Sequence, residues 1–400
     1  MKKTVNKIFR YVGYALFRPI WWLERLVPRS KNIWVFGAWY GQKYSDNSKW
    51  LYEYVLEHNP EIKAVWITKS RAVYEKLSSL GKPVAMSSSF AGVLACLRTK
   101  YAFLTSGVSD VNKLFLNGCR QIWLWHGMPL KKIGFCDDSV VATPKWKRNL
   151  STVLNPYSAL KPYCTLSSAD FFISFLSESF HLSEENIWKT GLPRCDAFFT
   201  ERTEPFNLAL RSEFPLAKIF LYMPTFRMSS HMDGTPFTPF VVEFGFDEQE
   251  FSAFLAKENI VLLYKPHFVD SAVKVSVRSP RFRIVSDNDF DDLYVFLNSV
   301  DALLTDYSSV YFDFLATRKP VFLLPFDYEL YTKNSRSHFF NMFEEMHGEF
   351  CKDWREFYEK SSSCQGSTKS DVNLEQDRVK FAEYLDGNSC RRLVEKVRGE

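Results

Sequence analysis

The stretch "DALLTDYSSVYFDFLATRKPVFLLP", residues 301–325, decides the fold class of this 400-residue chain. Its two apolar runs, ALL and VFLLP, are typical of buried strands, and the segment SSVYFDFLATR between them has the length of a helix. A strand, a helix and a second strand in this order form the crossover unit of a parallel sheet. Asp306, Ser308 and Ser309 stand where the first strand ends, which is the edge at which such sheets bind ligands.

Similar apolar runs alternate with helix-length segments along most of the chain, and they fall into two series. The first comprises NIWVFGA, KAVWIT, AFLTS, QIWLW, FFISF and NIWKTG, and the second comprises KIFLYMP, VLLYKPH, FRIVS, ALLTDY and PVFLLP. This alternation predicts an α/β protein with two Rossmann-like, doubly wound domains. The charged stretch FFTERTEPFN separates the series, so we predict an N-terminal domain at 32–205 and a C-terminal domain at 206–400. The second domain is expected to include a Ser-rich loop at 359–377 and a final helix in NSCRRLVEKV.

Composition agrees with two folded domains and argues against a nucleic-acid partner. The hydrophobic content of 46% supplies apolar area for two cores. The net charge is +5, but residues 1–31 carry +7 of it, which leaves about −2 for the remainder. A nucleic-acid-binding body spreads basic charge over its folded surface, which this chain does not do. The eight cysteines lack metal-ligand spacing and are expected to be free thiols.

The basic segment "MKKTVNKIFRYVGYALFRPIWWLERLVPRS", residues 1–30, is predicted to attach the protein to a membrane surface. Its longest uncharged run, residues 11–17, is far shorter than the roughly 20 residues that a spanning helix needs. Basic and apolar side chains fall on opposite faces of a helical wheel, and Trp21 and Trp22 suit the headgroup level of an anionic bilayer. An amphipathic helix packed on its own domain is the alternative.

Polar residues that follow five predicted strands form the candidate site. They are His126 and Gly127 in WLWHGMPLKK, with Lys131 beyond them; Arg194 and Asp196 in TGLPRCD; Thr225 and Arg227 in YMPTFR; Lys265 and His267 in YKPHF; and Asp306, Ser308, Ser309 and Asp313 in the opening stretch. Cationic and hydroxyl groups collected at one edge suit a polyanion such as a diphosphate. His126, followed by a glycine turn, is suited to act as a general base. Taken one at a time, a serine of the pair Ser308 and Ser309 is better explained as a helix cap, and His126 as a histidine hydrogen-bonded within its loop.

Five of these blocks, in order, resemble the CDP-glycerol glycerophosphotransferase family of teichoic-acid and capsule synthesis. They are WHGMPLKKIGF, GLPRCDAF, YMPTFR, LLYKPHF and LLTDYSSVYFDFLATRKPVFLLPFDYELY, and YLDGNSCRRLVEKV at the end is similar to the family's last helix. The resemblance implies a GT-B fold, in which two Rossmann-like domains face each other across a cleft. It also implies a peripheral protein on the cytoplasmic face of the cell membrane, acting on a lipid-linked acceptor.

The resemblance further implies roles for individual residues. His126 matches the base that deprotonates the acceptor hydroxyl; Arg227, Lys265 and His267 match positions around the diphosphate; Ser308 and Ser309 match hydroxyls at the donor helix; and Asp306 and Asp313 would hold that loop or meet the glycerol. Arg194 and Asp196 match a cleft motif of unassigned role. Neither a cofactor nor a metal is implied. Phe268 after His267 departs from the family's usual proline, which leaves the path of that loop open.

Three questions stay open at the level of sequence. The donor is CDP-glycerol or CDP-ribitol, and the protein adds one unit or many. A GT-B glycosyltransferase that uses a nucleotide sugar shares the same fold and basic cleft. A membrane scaffold without catalytic activity is a third interpretation, which the presence of His126, Lys265, His267, Ser308 and Ser309 disfavours.

Overall fold

Two parallel sheets organise the computed structural model, which describes residues 18–19, 21–154, 161–225, 244–266, 277–363 and 368–400. The first sheet has the order β3-β2-β1-β4-β5-β6-β7 and the second the order β10-β9-β8-β11-β12-β13. The strands are β1 (Ser30–Gly37), β2 (Lys63–Thr68), β3 (Val84–Met86), β4 (Thr99–Leu104), β5 (Arg120–Trp123), β6 (Cys164–Leu166), β7 (Ile187–Trp188), β8 (Lys218–Met223), β9 (Ile260–Tyr264), β10 (Phe282–Ile284), β11 (Ala302–Thr305), β12 (Val321–Leu323) and β13 (Glu349–Phe350). Strand order reverses at β1 and at β8, so the predicted pair of doubly wound sheets is confirmed.

Helices cover both sheets. They are α1 (Asp46–His58), α2 (Arg71–Ser79), α3 (Phe90–Arg98), α4 (Asp138–Val141), α5 (Lys145–Leu154), α6 (Ile173–Phe180), α7 (Pro205–Glu213), α8 (Glu248–Lys257), α9 (Leu293–Ser299), α10 (Val310–Phe314), α11 (Tyr328–Asn334), α12 (Met342–Glu345), α13 (Trp354–Ser363), α14 (Thr368–Phe381) and α15 (Ser389–Arg398). Side-chain caps start several of them: Ser70 accepts from the Val73 N–H and Ser89 from the Gly92 N–H. None of the helices in the described ranges is long and apolar enough to cross a bilayer.

The stretch 301–325 folds largely as predicted. Its apolar runs are the central strands β11 and β12, which pair in parallel with Leu303 opposite Val321. The helix between them is shorter than expected, since α10 ends at Phe314 and a 3-10 turn continues to Thr317. Arg318 then adopts a left-handed conformation at φ 58°, which ends the helical segment.

Two predicted elements are wrong. The run FFISF, residues 171–175, is helical, because α6 begins at Ile173 and buries Leu176 and Phe180 at helical spacing. The predicted loop at 359–377 is occupied mostly by α13 and α14, with residues 364–367 outside the described part. Trp354, Phe357 and Tyr358 anchor α13 in the core of the second sheet, and this burial outweighs the loop-forming tendency of the serines.

The last helix returns to the first domain, although the predicted boundaries assign it to the second. The Asp196 carboxylate accepts hydrogen bonds from the Ser389 and Cys390 N–H groups at 3.0 and 2.8 Å and so caps α15. At the other end of α15, Arg120 and Tyr163 hydrogen-bond to Glu400. The boundary near residue 205 itself stays a prediction. The seven described cysteines are free thiols, whereas Cys364 lies outside the described residues.

Candidate active site

A cleft of about 670 Å³ lies between the carboxyl ends of the two sheets. Eight of the predicted site residues line it: His126, Gly127, Lys131 and Arg194 from the first domain, and Thr225, Lys265, Ser308 and Ser309 from the second. Eight of the thirteen residues predicted from the sequence therefore meet in one cleft. Arg227, His267 and residues 1–17 and 20 of the predicted membrane-attaching segment at 1–31 lie outside the described residues.

His126 follows β5 and is held in an aromatic setting. Its ring lies 4.2 Å from the Trp125 ring and 5.4 Å from the Trp39 ring, centroid to centroid. Burial lowers the pKa of the imidazole below its ordinary value; Asp46 acts against this effect, and Arg194 and Lys131 reinforce it. The imidazole is consequently neutral at neutral pH, which is the state that a general base requires.

Asn47 at the start of α1, which sequence reasoning missed, positions the loop that carries His126. The Asn47 amide donates to the Leu124 and Trp125 carbonyls at 3.3 and 2.9 Å, and its oxygen accepts from the Arg194 N–H at 3.0 Å. Trp125 has a φ of +55°, a conformation that non-glycine residues adopt at some cost, so these bonds hold a strained turn. The signal in the sequence was the Ser-Asp-Asn run at 45–47, which is also typical of an ordinary helix cap.

Arg194 joins the two domains from a fully buried position. Its guanidinium binds Asp46 of the first domain at 2.8 Å and Asp313 of the second at 2.6 Å. It also lies over the Tyr294 ring at 4.7 Å. Burial alone would lower the pKa of Arg194, but the carboxylates of Asp313 and Asp46 raise it well above its ordinary value. Asp313 therefore holds an arginine rather than facing the cleft.

Gly127 and Ser309 mark the closest approach of the domains. A Cβ on Gly127 would lie 2.2 Å from the Ser309 Oγ, and the φ of +144° at Gly127 already favours glycine. Ser309 occupies the cap position of α10 without making a side-chain cap bond, and the Ser308 Oγ accepts weakly from the Val310 N–H at 3.5 Å. The capping explanation thus accounts only in part for the two serines.

Asp306 and Asp196, both predicted as site residues, have structural contacts instead. The Asp306 carboxylate accepts from the Thr225 N–H at 2.8 Å and so ties the ends of β8 and β11 together. It is fully buried, and neither it nor Asp196 is among the described residues that line the cleft. Asp196 is a cap of α15, as described above. A carboxylate near a strand end can serve the backbone as readily as a ligand, and sequence alone does not distinguish the two roles.

Lys265 follows β9 and forms an ion pair 2.6 Å long with Asp287. The other carboxylate oxygen of Asp287 binds Lys43 of the first domain at 2.5 Å. Burial would raise the pKa of Asp287, but Lys265 and Lys43 hold it at about 2. The sequence pattern singled out neither Asp287 nor Lys43.

His338 is a second histidine near the cleft that sequence reasoning missed. Both of its ring nitrogens are buried without a hydrogen-bond partner among the described residues. Burial, with Lys131 adding to its effect, lowers the pKa of His338 to about 4. The backbone beside it bridges the domains, since the Lys132 N–H donates to the Ser337 carbonyl at 2.9 Å. No motif in the sequence indicated this residue.

The described side chains contain no group of three or more metal-ligating residues that could hold a metal ion.

Two facing, doubly wound parallel sheets with a cleft at their carboxyl ends are the arrangement of a GT-B-like fold. The model of the CDP-glycerol:poly(glycerophosphate) glycerophosphotransferase family matches residues 21–399, and the chain belongs to this family. It is accordingly a glycerophosphotransferase, as the resemblance implied.

Individual relatives agree with this family assignment. The chain is 26% identical over 407 residues to a teichoic acid glycerol-phosphate transferase of Staphylococcus aureus, with 99% of both chains covered. It is 28% identical over 297 residues to the teichoic acid ribitol-phosphate polymerase TarL of the same species, covering 70% of this chain and 47% of that one. The structure of the wall teichoic acid polymerase TagF superposes with a TM-score of 0.72 at 19% identity, over 100% of this chain and 98% of that one. This likeness confirms the GT-B-like fold.

Proposed function

We propose that the protein transfers glycerol phosphate from CDP-glycerol to a hydroxyl group of a lipid-linked acceptor in teichoic-acid or capsule synthesis. The observation that carries the proposal is the neutral imidazole of His126, which shares one cleft with Lys265, Ser308 and Ser309. A base on one wall and a cation with hydroxyls on the other suit the meeting of an acceptor alcohol with an activated phosphate.

In the proposed reaction His126 takes the proton of the acceptor hydroxyl. The acceptor oxygen forms a bond to the glycerol-bearing phosphorus, the bond from that phosphorus to the CMP oxygen breaks, and CMP leaves with the electron pair. Lys265, with Arg227 and His267 as further proposed donor residues, offsets negative charge on the phosphoryl oxygens. Thr225, Ser308 and Ser309 bind the donor by hydrogen bonds. Arg194 holds the two walls of the cleft together rather than binding the donor, since the Asp46 and Asp313 carboxylates already bind its guanidinium.

Glycerol is favoured over ribitol because a relative matched over 99% of its length is a glycerol-phosphate transferase. The ribitol-phosphate polymerase is matched over only 47% of its length. The test incubates the purified protein with CDP-glycerol, CDP-ribitol or a nucleotide sugar, together with a synthetic lipid-linked disaccharide, and measures the product mass. We expect CMP release and the added mass of glycerol phosphate, and the number of units added separates a primer from a polymerase. Transfer from CDP-ribitol alone, or from the nucleotide sugar alone, would overturn the proposal.

Peripheral attachment to the cytoplasmic face of the membrane belongs to the same proposal. Besides the N-terminal segment, helix α5 is a second candidate for contact with the membrane. Its side chains Trp146, Leu150 and Val153 are 63%, 49% and 55% exposed at helical spacing. Lys145, Lys147 and Arg148 accompany them, and this combination suits an anionic lipid surface. The preceding helix begins at Asp138, which lines the cleft, so α5 would bring a lipid-linked acceptor close to His126.

A further inference from the structure

One carboxylate in the cleft holds two ammonium groups from opposite domains. The two Asp287 oxygens bind Lys43 of the first domain and Lys265 of the second at 2.5 and 2.6 Å. Lys43 stands in the loop before α1, whereas Lys265 and Asp287 follow β9 and β10. All three side chains line the cleft.

The geometry matches what a phosphate group requires. Each of the two oxygens of the Asp287 carboxylate is bound by a lysine ammonium. Two oxygens of a phosphate between two cations are bound in the same way. The two lysines bring two positive charges and Asp287 one negative charge, so the trio keeps an excess of +1. Asp287 is ionised, since its pKa is about 2, and its side chain is 40% exposed, so an incoming anion can reach the position that it occupies.

The position lies in the same cleft as the proposed base. The Lys43 ammonium is 5.8 Å from the centre of the Trp39 ring, and that ring is 5.4 Å from the His126 ring. An anion held by Lys43 would therefore share one cleft with His126, and Trp39 lies near both residues.

We propose that Lys43 and Lys265 together bind a phosphate group of a substrate, and that Asp287 occupies this subsite until the substrate displaces it. The inference rests on the proposed function and extends it by a residue of the acceptor domain. The phosphate belongs to the donor diphosphate or to the end of a phosphate-bearing acceptor, two sources that share the same oxyanion chemistry. Bound anion would link the two domains through Lys43 and Lys265 in place of Asp287.

The test compares Lys43→Gln, Asp287→Asn and Lys49→Gln. Lys49 is the matched control, because it makes a similar interdomain ion pair with Asp292 at 2.7 Å and does not line the cleft. We expect Lys43→Gln to raise the KM of one substrate about ten- to hundredfold, the effect of one charge-assisted hydrogen bond. Asp287→Asn removes the competing anion and should leave that KM unchanged or lower it. A raised KM for CDP-glycerol identifies the donor phosphate, and a raised KM for the acceptor alone identifies the acceptor phosphate.

Two results would overturn the inference. In the first, Lys43→Gln and Asp287→Asn raise the KM equally, which indicates that their ion pair only holds the two domains together. In the second, Lys49→Gln raises the KM as much as Lys43→Gln does.

Calorimetric titration with inorganic pyrophosphate separates this inference from the proposed function. If wild type binds pyrophosphate and Lys43→Gln binds it at least tenfold more weakly, the subsite stands even where CDP-glycerol is not turned over. If pyrophosphate binding is the same in both proteins while wild type transfers glycerol phosphate, the subsite is wrong and the proposed function survives.

Discussion

Gly127 shows how one residue without a side chain lets two domains close on each other. Its φ of +144° and the 2.2 Å between a notional Cβ and the Ser309 Oγ leave no room for alanine. We predict that Gly127→Ala lowers the free energy of unfolding by about 1–3 kcal/mol, the usual cost of overpacking, and sharply reduces kcat/KM.

The matched control for that substitution is Gly81→Ala. Gly81 also has a positive φ, +67°, but nothing lies within 4 Å of a notional Cβ there. Gly81→Ala should therefore lower the free energy of unfolding only by the backbone cost of a non-glycine residue, about 1 kcal/mol, and should keep the activity of wild type. Denaturant unfolding and steady-state rates measure both variants, and equal loss of activity in the two would contradict the role of Gly127.

Asp46 provides a test of the electrostatics around the proposed base. Its carboxylate raises the pKa of His126 against the lowering effects of burial and of Arg194. Removing that charge in Asp46→Asn should lower the pKa of His126 further. Since a base is active when unprotonated, the acid limb of the pH profile of kcat/KM should move to lower pH.

The control for Asp46→Asn is Glu53→Gln, which removes a charge from the same helix at a position paired with Lys82. Its acid limb should coincide with that of wild type. An acid limb that stays in place in Asp46→Asn, or shifts equally in both variants, would argue against His126 as the titrating group.

Which site residues could be predicted depended on where they stand along the chain. His126, Lys265 and Ser308 follow strands, and the carboxyl ends of parallel strands meet at one edge, so position alone brought them together. Lys43 precedes α1 and Asp46 begins it, and nothing local separates them from a surface charge and an ordinary cap. Their partners are distant in sequence: the fold of the first domain brings Arg194 to Asp46, and the arrangement of the two domains brings Asp287 to Lys43.

At the scale of elements, apolar runs identified most strands but failed for FFISF. Five residues do not distinguish a buried strand from the first turn of a buried helix. Aromatic side chains of this segment contact the second domain: Phe172 contacts Phe312 of α10 with ring centroids 5.0 Å apart, and Phe171 contacts Phe381 of α14 at 4.9 Å. Such contacts depend on the second domain and leave no periodic signal in the first.

Helix α5 carries a prediction at the same scale. The double variant Trp146→Gln/Leu150→Gln should bind vesicles of phosphatidylglycerol more weakly than wild type, because it removes most of the exposed apolar stripe. Leu208→Gln in α7 is the control, as Leu208 is 62% exposed on another helix. Cosedimentation measures binding, with phosphatidylcholine vesicles as the neutral reference. Unchanged binding by the double variant would show that α5 is not a membrane contact.

At the scale of the whole molecule, the two domains are joined at several independent points around the cleft. Arg194 links them by charge, the backbone bond from Lys132 to Ser337 links them along an edge, and α15 ties the end of the chain back to the first sheet. The sequence predicted two sheets and a cleft because strand patterns are local. It did not predict this closure, because each of these contacts joins residues that are far apart along the chain.

The central claim is that His126 is the base of a glycerol phosphate transfer. The most direct measurement compares single-turnover CMP release from CDP-glycerol, with a lipid-linked acceptor present, in wild type and His126→Ala, and records CDP-glycerol affinity for both. The account predicts that His126→Ala binds CDP-glycerol as tightly as wild type and releases CMP about 10²- to 10⁴-fold more slowly, the usual contribution of a general base. Release at the wild-type rate by His126→Ala, with glycerol phosphate added to the acceptor, would contradict it.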